Sequence, residues 1–333
     1  MIWKNVELHN VYTTQPRADG ALYLRRFPLS CHEEFSSSPY EIVPLAGSLT
    51  TGCELRFVAK SADVYLSAEE FDGTVEVYRG DFFCRVERLQ AGVVTKIELR
   101  KTAVDVYTPT QNCRFSPCVW RIIFDHDCRI MLHDIQSDGE IRPPVEGETP
   151  NKKIIAYGSS ITHSAGAQLF TNSYIYNVGK RLGVDVLCKG MGGSCLIHEK
   201  VVEYLPKETW DVAILELGIN MIDLFPVEVF ETRARQLISN MLVCGKPIVL
   251  ISNFTSYRSM PSDTLYHVNE AYVATLEKLY KELKTDNLYY IRGADIVTDW
   301  DYLTSDLLHP SPYGHAEMGR KIAQKIHEEF KIL

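Results

Sequence analysis

The sequence predicts an α/β protein in which an all-β domain of the sandwich or jelly-roll type precedes a domain with a parallel sheet. Three observations predict this: the chain length, a change of hydrophobic periodicity, and a polar segment where the change occurs. The chain has 333 residues, and a typical domain has about 100–200 residues. We therefore predict a β domain at residues 1–135, a linker at 136–151 and an α/β domain at 152–333.

The first part of the chain contains short segments in which apolar and polar residues alternate. Five of them are predicted as strands: 53–58, 63–66, 74–78, 95–99 and 119–124. Turn residues such as Gly73, Gly80 and Gly92 separate them, and no stretch has a sustained helical period. Several short strands with turn signals between them are typical of a sandwich or jelly roll. The segment 136–151 is polar and rich in Pro and Gly, as expected of a linker.

The second part alternates apolar strands with amphipathic helices. The predicted strands are 153–157, 185–188, 211–217, 247–251 and 288–291, and the predicted helices are 173–182, 226–241, 265–283 and the segment after Pro312. Continuously apolar strands are typical of a parallel sheet that is buried on both faces. Strands alternating with helices predict helices on both sides of that sheet. In such sheets the chemistry lies at the carboxyl ends of the strands.

Composition excludes several classes of function. The net charge of −8 and the lack of a basic run argue against a nucleic-acid partner. The longest apolar stretches, such as 247–251, are far shorter than the ~20 residues of a membrane span. No signal peptide is visible at the N-terminus, and the nine cysteines lack CxxC spacing, so we expect a cytoplasmic location. Homo-oligomerisation stays open.

The segment 157–162 (Tyr-Gly-Ser-Ser-Ile-Thr) follows a predicted buried strand directly. Ser160 would lie on a strand-to-helix turn, where a nucleophile can be exposed and backbone amides can face it. An ordinary polar loop is an equally common interpretation of this segment alone. Thr162 stands where the G-x-S-x-G elbow has its last glycine, which disfavours the usual α/β-hydrolase layout.

Two further segments end predicted strands with candidate oxyanion donors. Gly193 lies in Gly-Met-Gly-Gly, where a backbone N–H can approach a ligand closely, although Gly190 or Gly192 could serve instead. Asn220 lies in Leu-Gly-Ile-Asn and offers a side-chain NH₂. The alternatives are a glycine-rich βα turn and an asparagine turn cap. Glu216 precedes the second segment, and a buried carboxylate there would need a partner.

The last segment, Asp306-Leu-Leu-His309-Pro310, precedes the final helix. A three-residue separation in a turn allows the carboxylate of Asp306 to meet one imidazole nitrogen of His309, which leaves the other nitrogen for a serine. Pro310 restricts His309 to an extended conformation. The alternative is that Asp306 is a surface turn residue and His309 a neighbour of the helix cap.

Together, in this order, the four segments resemble the GDSL/SGNH hydrolase superfamily, whose name includes the Ser, Gly, Asn and His of these segments. The resemblance covers about residues 152–330 and implies a flavodoxin-like, five-stranded sheet. It implies that Ser160 is the nucleophile, His309 the general base and Asp306 the residue that orients it. It also implies an oxyanion hole formed by the Ser160 amide, Gly193 and Asn220.

The sequence departs from the family pattern at two positions. Ser159 stands where the family usually has Asp, and Met221 follows Asn220 where the family usually has a second Asp. Neither replaced residue makes or breaks bonds, but both carboxylates would support the loops around the site. The support of those loops is therefore the part of the site that the resemblance leaves open.

A β domain joined to such a domain is similar to carbohydrate esterases of family 2, which remove acetyl groups from sugars. We therefore expect a Ser-His-Asp esterase acting on a small acylated sugar, with Ser159, Tyr257 and Trp300 as candidate substrate-binding residues. A lysophospholipase or thioesterase is the first alternative, and a non-catalytic carbohydrate-binding protein is the second. We expect no cofactor and no metal, because the sequence has no nucleotide-binding glycine motif and no three-ligand metal spacing.

Overall fold

The structure, a computed structural model, describes residues 1–108, 112–126 and 128–333. These residues form two compact units. The first unit comprises Met1–Leu29, Gly47–Asn151 and Gly183–Leu187, and the second comprises Ser30–Ala46, Lys152–Leu182 and Cys188–Leu333. The predicted boundaries of the domains stay a prediction, but the compact units are not continuous in sequence.

Two antiparallel sheets make up most of the first unit. The strands are β1 (Ile2–Trp3), β2 (Val6–His9), β3 (Thr13–Pro16), β4 (Leu22–Arg25), β5 (Glu54–Val58), β6 (Ala62–Ala68), β7 (Gly73–Arg79), β8 (Phe82–Leu89), β9 (Thr95–Leu99), β10 (Val119–Phe124) and β11 (Ile130–Gln136). One sheet has the order β1-β2-β5-β10-β7-β8 and the other β3-β4-β11-β6-β9. The β structure that the alternating pattern predicts for this part of the chain is confirmed, and its sheets are antiparallel.

The two sheets of the first unit share one hydrophobic core. Ile122 of β10 pairs with Leu55 and Val77 on its two neighbouring strands. These three side chains are fully buried together with Leu66 and Leu132 of the other sheet. Residues at alternate positions along a strand point to one face, so this shared core accounts for the period of two in the sequence.

Three short helices interrupt the β structure of the first half of the sequence: α1 (Leu29–Ser36), α2 (Ile42–Ser48) and α3 (Val104–Tyr107). The sequence pattern does not predict them. Each is eight residues or shorter, so none repeats a helical period often enough to be recognised. In addition, α2 contains Pro44 and Gly47, which have the lowest helix propensities.

The second unit is built around a five-stranded parallel sheet, although residues 185–187 of one strand are grouped with the first unit. Its strands are β12 (Lys153–Gly158), β13 (Asp185–Gly190), β14 (Val212–Glu216), β15 (Ile248–Ile251) and β16 (Leu288–Ile291), in the order β13-β12-β14-β15-β16. The helices are α4 (Tyr174–Leu182), α5 (Glu199–Tyr204), α6 (Val227–Leu242), α7 (Tyr266–Glu282) and α8 (Pro312–Gln324), and a π-helix (Lys325–Phe330) follows. The predicted parallel sheet with helices is confirmed.

The strand order places a crevice at the carboxyl end of β12. The chain adds β13 on one side of β12 and then β14 on the other side. Ligands in doubly wound sheets bind where the strand order reverses in this way. The strands β12, β14 and β15 are almost completely buried, which explains why their sequences are almost continuously apolar. In the described part of the chain, no helix is long and apolar enough to cross a membrane.

Candidate active site

The turn after β12 contains Ser160 and is held by hydrogen bonds to the carboxylate of Glu216. The Ser159 N–H donates to Glu216 Oε2 at 2.7 Å, and the Thr162 hydroxyl donates to the same oxygen at 3.1 Å. A Cβ on Gly158 would lie 2.3 Å from Thr162 Oγ1 and 2.6 Å from Glu216 Oε2, so only glycine fits there. The Ile161 N–H donates to the Ser159 side chain at 3.1 Å. The turn therefore has a fixed shape and leaves Ser160 partly exposed.

A continuous hydrogen-bonded chain joins Ser160, His309 and Asp306. Ser160 Oγ lies 2.8 Å from His309 Nε2, and His309 Nδ1 lies 2.7 Å from Asp306 Oδ2. With the carboxylate ionised, Nδ1 carries the imidazole proton and Nε2 can accept the proton of the serine. The sequence-predicted nucleophile, base and orienting acid are thus within hydrogen-bonding distance of one another.

Asp306 is held as a carboxylate by its own turn. Its Oδ1 accepts hydrogen bonds from Thr304 Oγ1 at 2.8 Å, the Leu308 N–H at 2.8 Å and the His309 N–H at 2.9 Å. Partial burial pulls the pKa of Asp306 upward, but the bonds from His309, Leu308 and Thr304 outweigh it and hold the pKa below its ordinary value. Asp306 therefore stays ionised throughout the neutral range.

A hydrogen bond and a β-bridge join the two ends of the turn that contains His309. The Thr304 N–H donates to the His309 carbonyl at 2.8 Å, and Leu303 forms a β-bridge with Pro310. Leu307 has a φ of +53°, a left-handed conformation that is uncommon outside glycine. The Tyr257 N–H holds the Leu307 carbonyl at 2.8 Å. The surrounding hydrogen bonds thus fix a backbone shape that a short peptide would seldom adopt.

The N–H groups of the three residues predicted as oxyanion donors have distinct surroundings. Asn220 Oδ1 accepts from the Cys195 N–H at 3.1 Å, which orients the amide so that its Nδ2 is the group left to donate. Gly193 has a φ of +66°, a conformation that favours glycine. Within the described residues, the N–H groups of Ser160 and Gly193 and the Nδ2 of Asn220 have no protein acceptor. They are free to bind a ligand oxygen.

The neighbouring glycines Gly190 and Gly192 have different surroundings from Gly193. A Cβ on Gly190 would lie 2.4 Å from the backbone nitrogen of His163, so Gly190 allows β13 to approach the nucleophile turn. A Cβ on Gly192 would lie 3.9 Å from Ser160 Cβ and 3.2 Å from His163 Nδ1. Gly190 therefore has a packing reason to be glycine, whereas Gly192 lies near Ser160 and Gly193 lies near Ile42.

A pocket of about 320 Å³ includes Gly193 and Asn220, two of the predicted oxyanion donors, in its lining. It is lined by Tyr40, Ile42, Gly193, Ile219, Asn220, Asp223, Leu224, Tyr257, Arg258 and Leu308. Of the predicted substrate-binding residues, Tyr257 lines this pocket. Trp300 is 44% exposed but does not line it, and Ser159 is buried inside the nucleophile turn. Their roles stay predictions. No group of three or more metal-binding side chains occurs in the described ranges.

Sequence reasoning missed several supporting residues. The sequence indicated only that Glu216 is a carboxylate at the end of an apolar strand and would need a partner. Its partners lie in a turn that is distant in the sequence. Thr304 and the Cys195 N–H also act on site residues, but neither a threonine nor a backbone amide is distinctive in a sequence. Tyr40 and Ile42 come from the first half of the chain, far from all four segments, and no local signal connects them with the site.

Ser160 in the turn after β12 and the Asp306–His309 turn before α8 thus form one hydrogen-bonded chain. The model of the GDSL-like lipase/acylhydrolase family matches residues 151–327, slightly more than half of the chain. The protein belongs to this family of esterases and acylhydrolases. No curated protein matches the sequence.

Solved structures with a similar fold cover nearly the whole chain. A salicylyl-acyltransferase from a tetracycline biosynthetic pathway has a TM-score of 0.78 and 16% identity, over 97% of this chain and 94% of its own. A family 2 carbohydrate esterase from Cellvibrio japonicus has a TM-score of 0.66 and 14% identity, over 98% and 96%. An acetyl xylan esterase from the rumen bacterium Butyrivibrio proteoclasticus has a TM-score of 0.61 and 12% identity, over 100% and 98%. These likenesses concern the fold.

Proposed function

We propose that this protein is a serine esterase that removes small acyl groups, above all acetyl, from esters of a carbohydrate. The observation that carries the proposal is the chain from Ser160 through His309 to Asp306, with distances of 2.8 and 2.7 Å. Membership of the acylhydrolase family supports ester cleavage. The N–H groups of Ser160, Gly193 and Asn220, which have no acceptor among the described residues, support the binding of an oxyanion.

The first half-reaction forms an acyl-enzyme. Ser160 Oγ attacks the ester carbonyl carbon while His309 Nε2 takes the hydroxyl proton. The negative charge on the former carbonyl oxygen is bound by the Ser160 amide, the Gly193 amide and Asn220 Nδ2, and one such donor typically lowers the barrier by about 2.7–4 kcal/mol. His309 then gives its proton to the leaving sugar oxygen as the C–O bond breaks.

The second half-reaction releases the acid. His309 takes a proton from water as the water oxygen attacks the acyl carbon, and the same three N–H groups bind the second oxyanion. The Ser160 ester bond then breaks, and the serine recovers its proton from His309. Asp306 stays ionised throughout and stabilises the imidazolium, consistent with its lowered pKa.

The carbohydrate part of the proposal is supported by two features. The family 2 carbohydrate esterase and the acetyl xylan esterase share the fold of the whole chain, although their identity with it is only 14% and 12%. The pocket beside the oxyanion donors combines apolar side chains with the charged groups of Arg258 and Asp223. Pockets for small polar ligands typically have this combination.

The nucleophile is tested with Ser160→Ala. We expect this variant to lose at least about 10³-fold in kcat on acetylated sugars, because no other hydroxyl occupies the attacking position. A fluorophosphonate probe should label the wild-type protein at Ser160 and leave the variant unlabelled. Circular dichroism serves as the folding control. Undiminished turnover in a folded Ser160→Ala protein would exclude Ser160 as the nucleophile.

The substrate is tested with two series of esters. Positional isomers of acetylated monosaccharides should differ in kcat/KM, and p-nitrophenyl acetate should be cleaved faster than the hexanoate or decanoate. A preference for the long acyl chains would instead indicate a lysophospholipase or thioesterase. A protein that binds sugars, cleaves no ester and resists the probe would be a non-catalytic carbohydrate-binding protein.

A further inference from the structure

The segment Ser30–Ala46 belongs to the compact unit that carries the site, although it lies in the first half of the sequence. It is anchored by the Glu34 carboxylate, which accepts the N–H groups of Glu199 at 3.0 Å and Lys200 at 2.8 Å, at the start of α5. The Phe35 ring packs edge-on against His198, with 5.4 Å between centroids. The segment is thus fixed to the loop and helix that follow β13.

The end of this segment reaches the pocket beside the oxyanion donors. Tyr40 packs edge-on against Phe225, with 6.2 Å between centroids, and also lines the pocket. Ile42 is 43% exposed, so its apolar side chain is accessible to a ligand. Its Cγ1 would lie 3.2 Å from a Cβ placed on Gly193. Ile42 therefore lies beside one of the three oxyanion donors, where a bound ligand would cover it.

The lining of the pocket also includes fixed charges. The Arg258 guanidinium binds Asp223 at 2.7 and 3.0 Å and Asp263 at 3.1 Å, and it stacks over the Tyr257 ring at 4.8 Å. These contacts hold the guanidinium rigidly, whereas Asp223 is half exposed and can accept further hydrogen bonds. An alkyl chain could not bond to the exposed carboxylate of Asp223, whereas the hydroxyls of a sugar could donate to it.

The position of the pocket indicates which part of the ester it receives. Leu308 lines the pocket, and the next residue, His309, is the general acid that protonates the leaving oxygen. A leaving group must lie close to that acid, and the pocket extends from there to Gly193 and Asn220. The pocket therefore suits the sugar that leaves better than the acyl group that remains on the serine.

We infer that Tyr40 and Ile42 form one wall of the subsite for the sugar and determine which acetylated sugars are cleaved. This inference rests on the proposed function, because it assigns a subsite to the same reaction. It gives the segment Ser30–Ala46 a role in substrate selection. The apolar face of a sugar ring would pack on Tyr40 and Ile42, and its hydroxyls would face Arg258 and Asp223.

The test compares Tyr40→Ala and Ile42→Ala with the wild-type protein on three kinds of ester. For an acetylated monosaccharide, we expect kcat/KM to fall about tenfold, mainly through KM, because the ring loses one contact surface. For methyl acetate, whose leaving group is too small to reach the wall, kcat/KM should stay within about twofold. The ratio of rates on p-nitrophenyl acetate and butyrate should not change, because the acyl group lies elsewhere.

The matched control is Val243→Ala, which shortens a β-branched side chain that is 87% exposed and does not line the pocket. It should leave all three measurements unchanged. An equal fall on every ester would mean that the wall supports the catalytic groups rather than the sugar. A changed acetate-to-butyrate ratio would place the acyl group in the pocket. Unchanged kinetics in both variants would show that Tyr40 and Ile42 take no part in substrate binding.

Each of these three results would overturn the inference while leaving the esterase intact. The proposed function is tested by a separate readout, the labelling of Ser160 by the fluorophosphonate probe. Tyr40→Ala and Ile42→Ala should both be labelled as fast as the wild type, since the probe needs only the nucleophile and its base. A wild-type protein that is neither labelled nor active would remove the proposed function itself.

Discussion

Two buried carboxylates, one in each compact unit, differ in whether neighbouring cations compensate their negative charge. Glu54 on β5 is 3% exposed, and Glu216 at the end of β14 is 1% exposed. Glu54 lies between two guanidinium groups, those of Arg56 and Arg121. Among the described residues, no cation acts on Glu216. Its Oε2 accepts from the Ser159 N–H and the Thr162 hydroxyl, and its Oε1 has no partner within the described residues.

The pKa values of the two groups diverge for this reason. Burial raises the pKa of both carboxyls, because it penalises the charged form. For Glu54 the charges of Arg121 and Arg56 outweigh burial and lower the pKa to about 2. For Glu216 the two neutral donors do not outweigh burial, and the pKa rises to about 7. The first unit thus holds a permanent ion network, whereas the support of the nucleophile turn titrates near neutral pH.

The ion network is also connected to Asp185, which belongs to the first unit. Arg56 donates to Asp185 Oδ2 at 2.6 Å and Oδ1 at 2.8 Å, and the pKa of Asp185 is lowered because Arg56 and His9 outweigh its burial. A buried ion pair contributes little net stability, but removal of one partner leaves an uncompensated charge. The network is therefore most sensitive to the loss of a single member.

The largest expected effect follows from Glu54→Gln. The variant leaves Arg56 and Arg121 with one carboxylate fewer, and removal of one partner of a buried pair typically costs about 3–5 kcal/mol. Urea unfolding at neutral pH, followed by near-UV circular dichroism, measures this loss. Since the pKa of Glu54 is lowered from 4.5 to about 2, its contribution to stability is complete above pH 4.5 and is lost as the pH falls toward 2.

The matched control for this variant is Glu98→Gln on β9. Glu98 also contacts two cations, Lys96 and Arg100, but its side chain is 51% exposed. Water screens exposed pairs, so the control should unfold at nearly the same urea concentration as the wild type. Equal losses in the two variants would mean that burial does not decide the stability of the network.

The second effect has the opposite dependence on pH and follows from Glu216→Gln. In the wild type, the unfolded chain releases the Glu216 proton near pH 4.5, whereas the folded chain keeps it until about pH 7. The stability of the wild type relative to the variant is therefore highest below pH 4.5, falls between pH 4.5 and 7, and is constant above pH 7. The whole change amounts to roughly 3 kcal/mol.

The measurement is the difference in unfolding free energy between the wild type and Glu216→Gln, taken from about pH 4 to about pH 8. Glutamine keeps an oxygen for the Ser159 N–H and cannot ionise, so the difference isolates the titration. Over the same range, the difference for Glu54→Gln should stay nearly constant, because the contribution of Glu54 is complete above pH 4.5. Parallel stability curves of the wild type and Glu216→Gln would show that Glu216 does not titrate in this window.

The contrast between the two carboxylates also shows how far the sequence could predict this molecule. The parallel sheet was predictable, because each of its strands is a short apolar run followed by a helical pattern. The pair Asp306 and His309 was predictable, because the contact between them is made within one turn. Ser160 was predictable as a serine directly after a buried strand.

Features that depend on distant contacts were not predictable. The carboxylate of Glu216 is visible at the end of an apolar strand, but its partners lie 54 and 57 residues away. Ile42 and Gly193 are also far apart in the sequence, although both line the pocket. The departure at Met221 is another example, because the Tyr272 hydroxyl of α7 donates to the Met221 carbonyl at 3.1 Å and to the Phe225 carbonyl at 2.7 Å. A distant side chain thus holds the loop where the family usually has a carboxylate.

The smallest effect, and the one that tests the link between Glu216 and the nucleophile turn, follows from Thr162→Val. The hydroxyl of Thr162 bonds to Glu216 Oε2 at 3.1 Å and to the Tyr174 hydroxyl at 2.7 Å. Valine has the same shape but leaves both buried oxygens with one partner fewer, at a cost of about 1–3 kcal/mol. Because the Thr162 bond lowers the pKa of Glu216, its loss should move the pH-dependent fall in stability to higher pH.

The control is Thr162→Ser, which keeps the hydroxyl and should keep the wild-type pH profile. If valine and serine gave the same profile, the hydroxyl would not set the charge of Glu216, and the unpaired Oε1 alone would account for its titration near neutral pH.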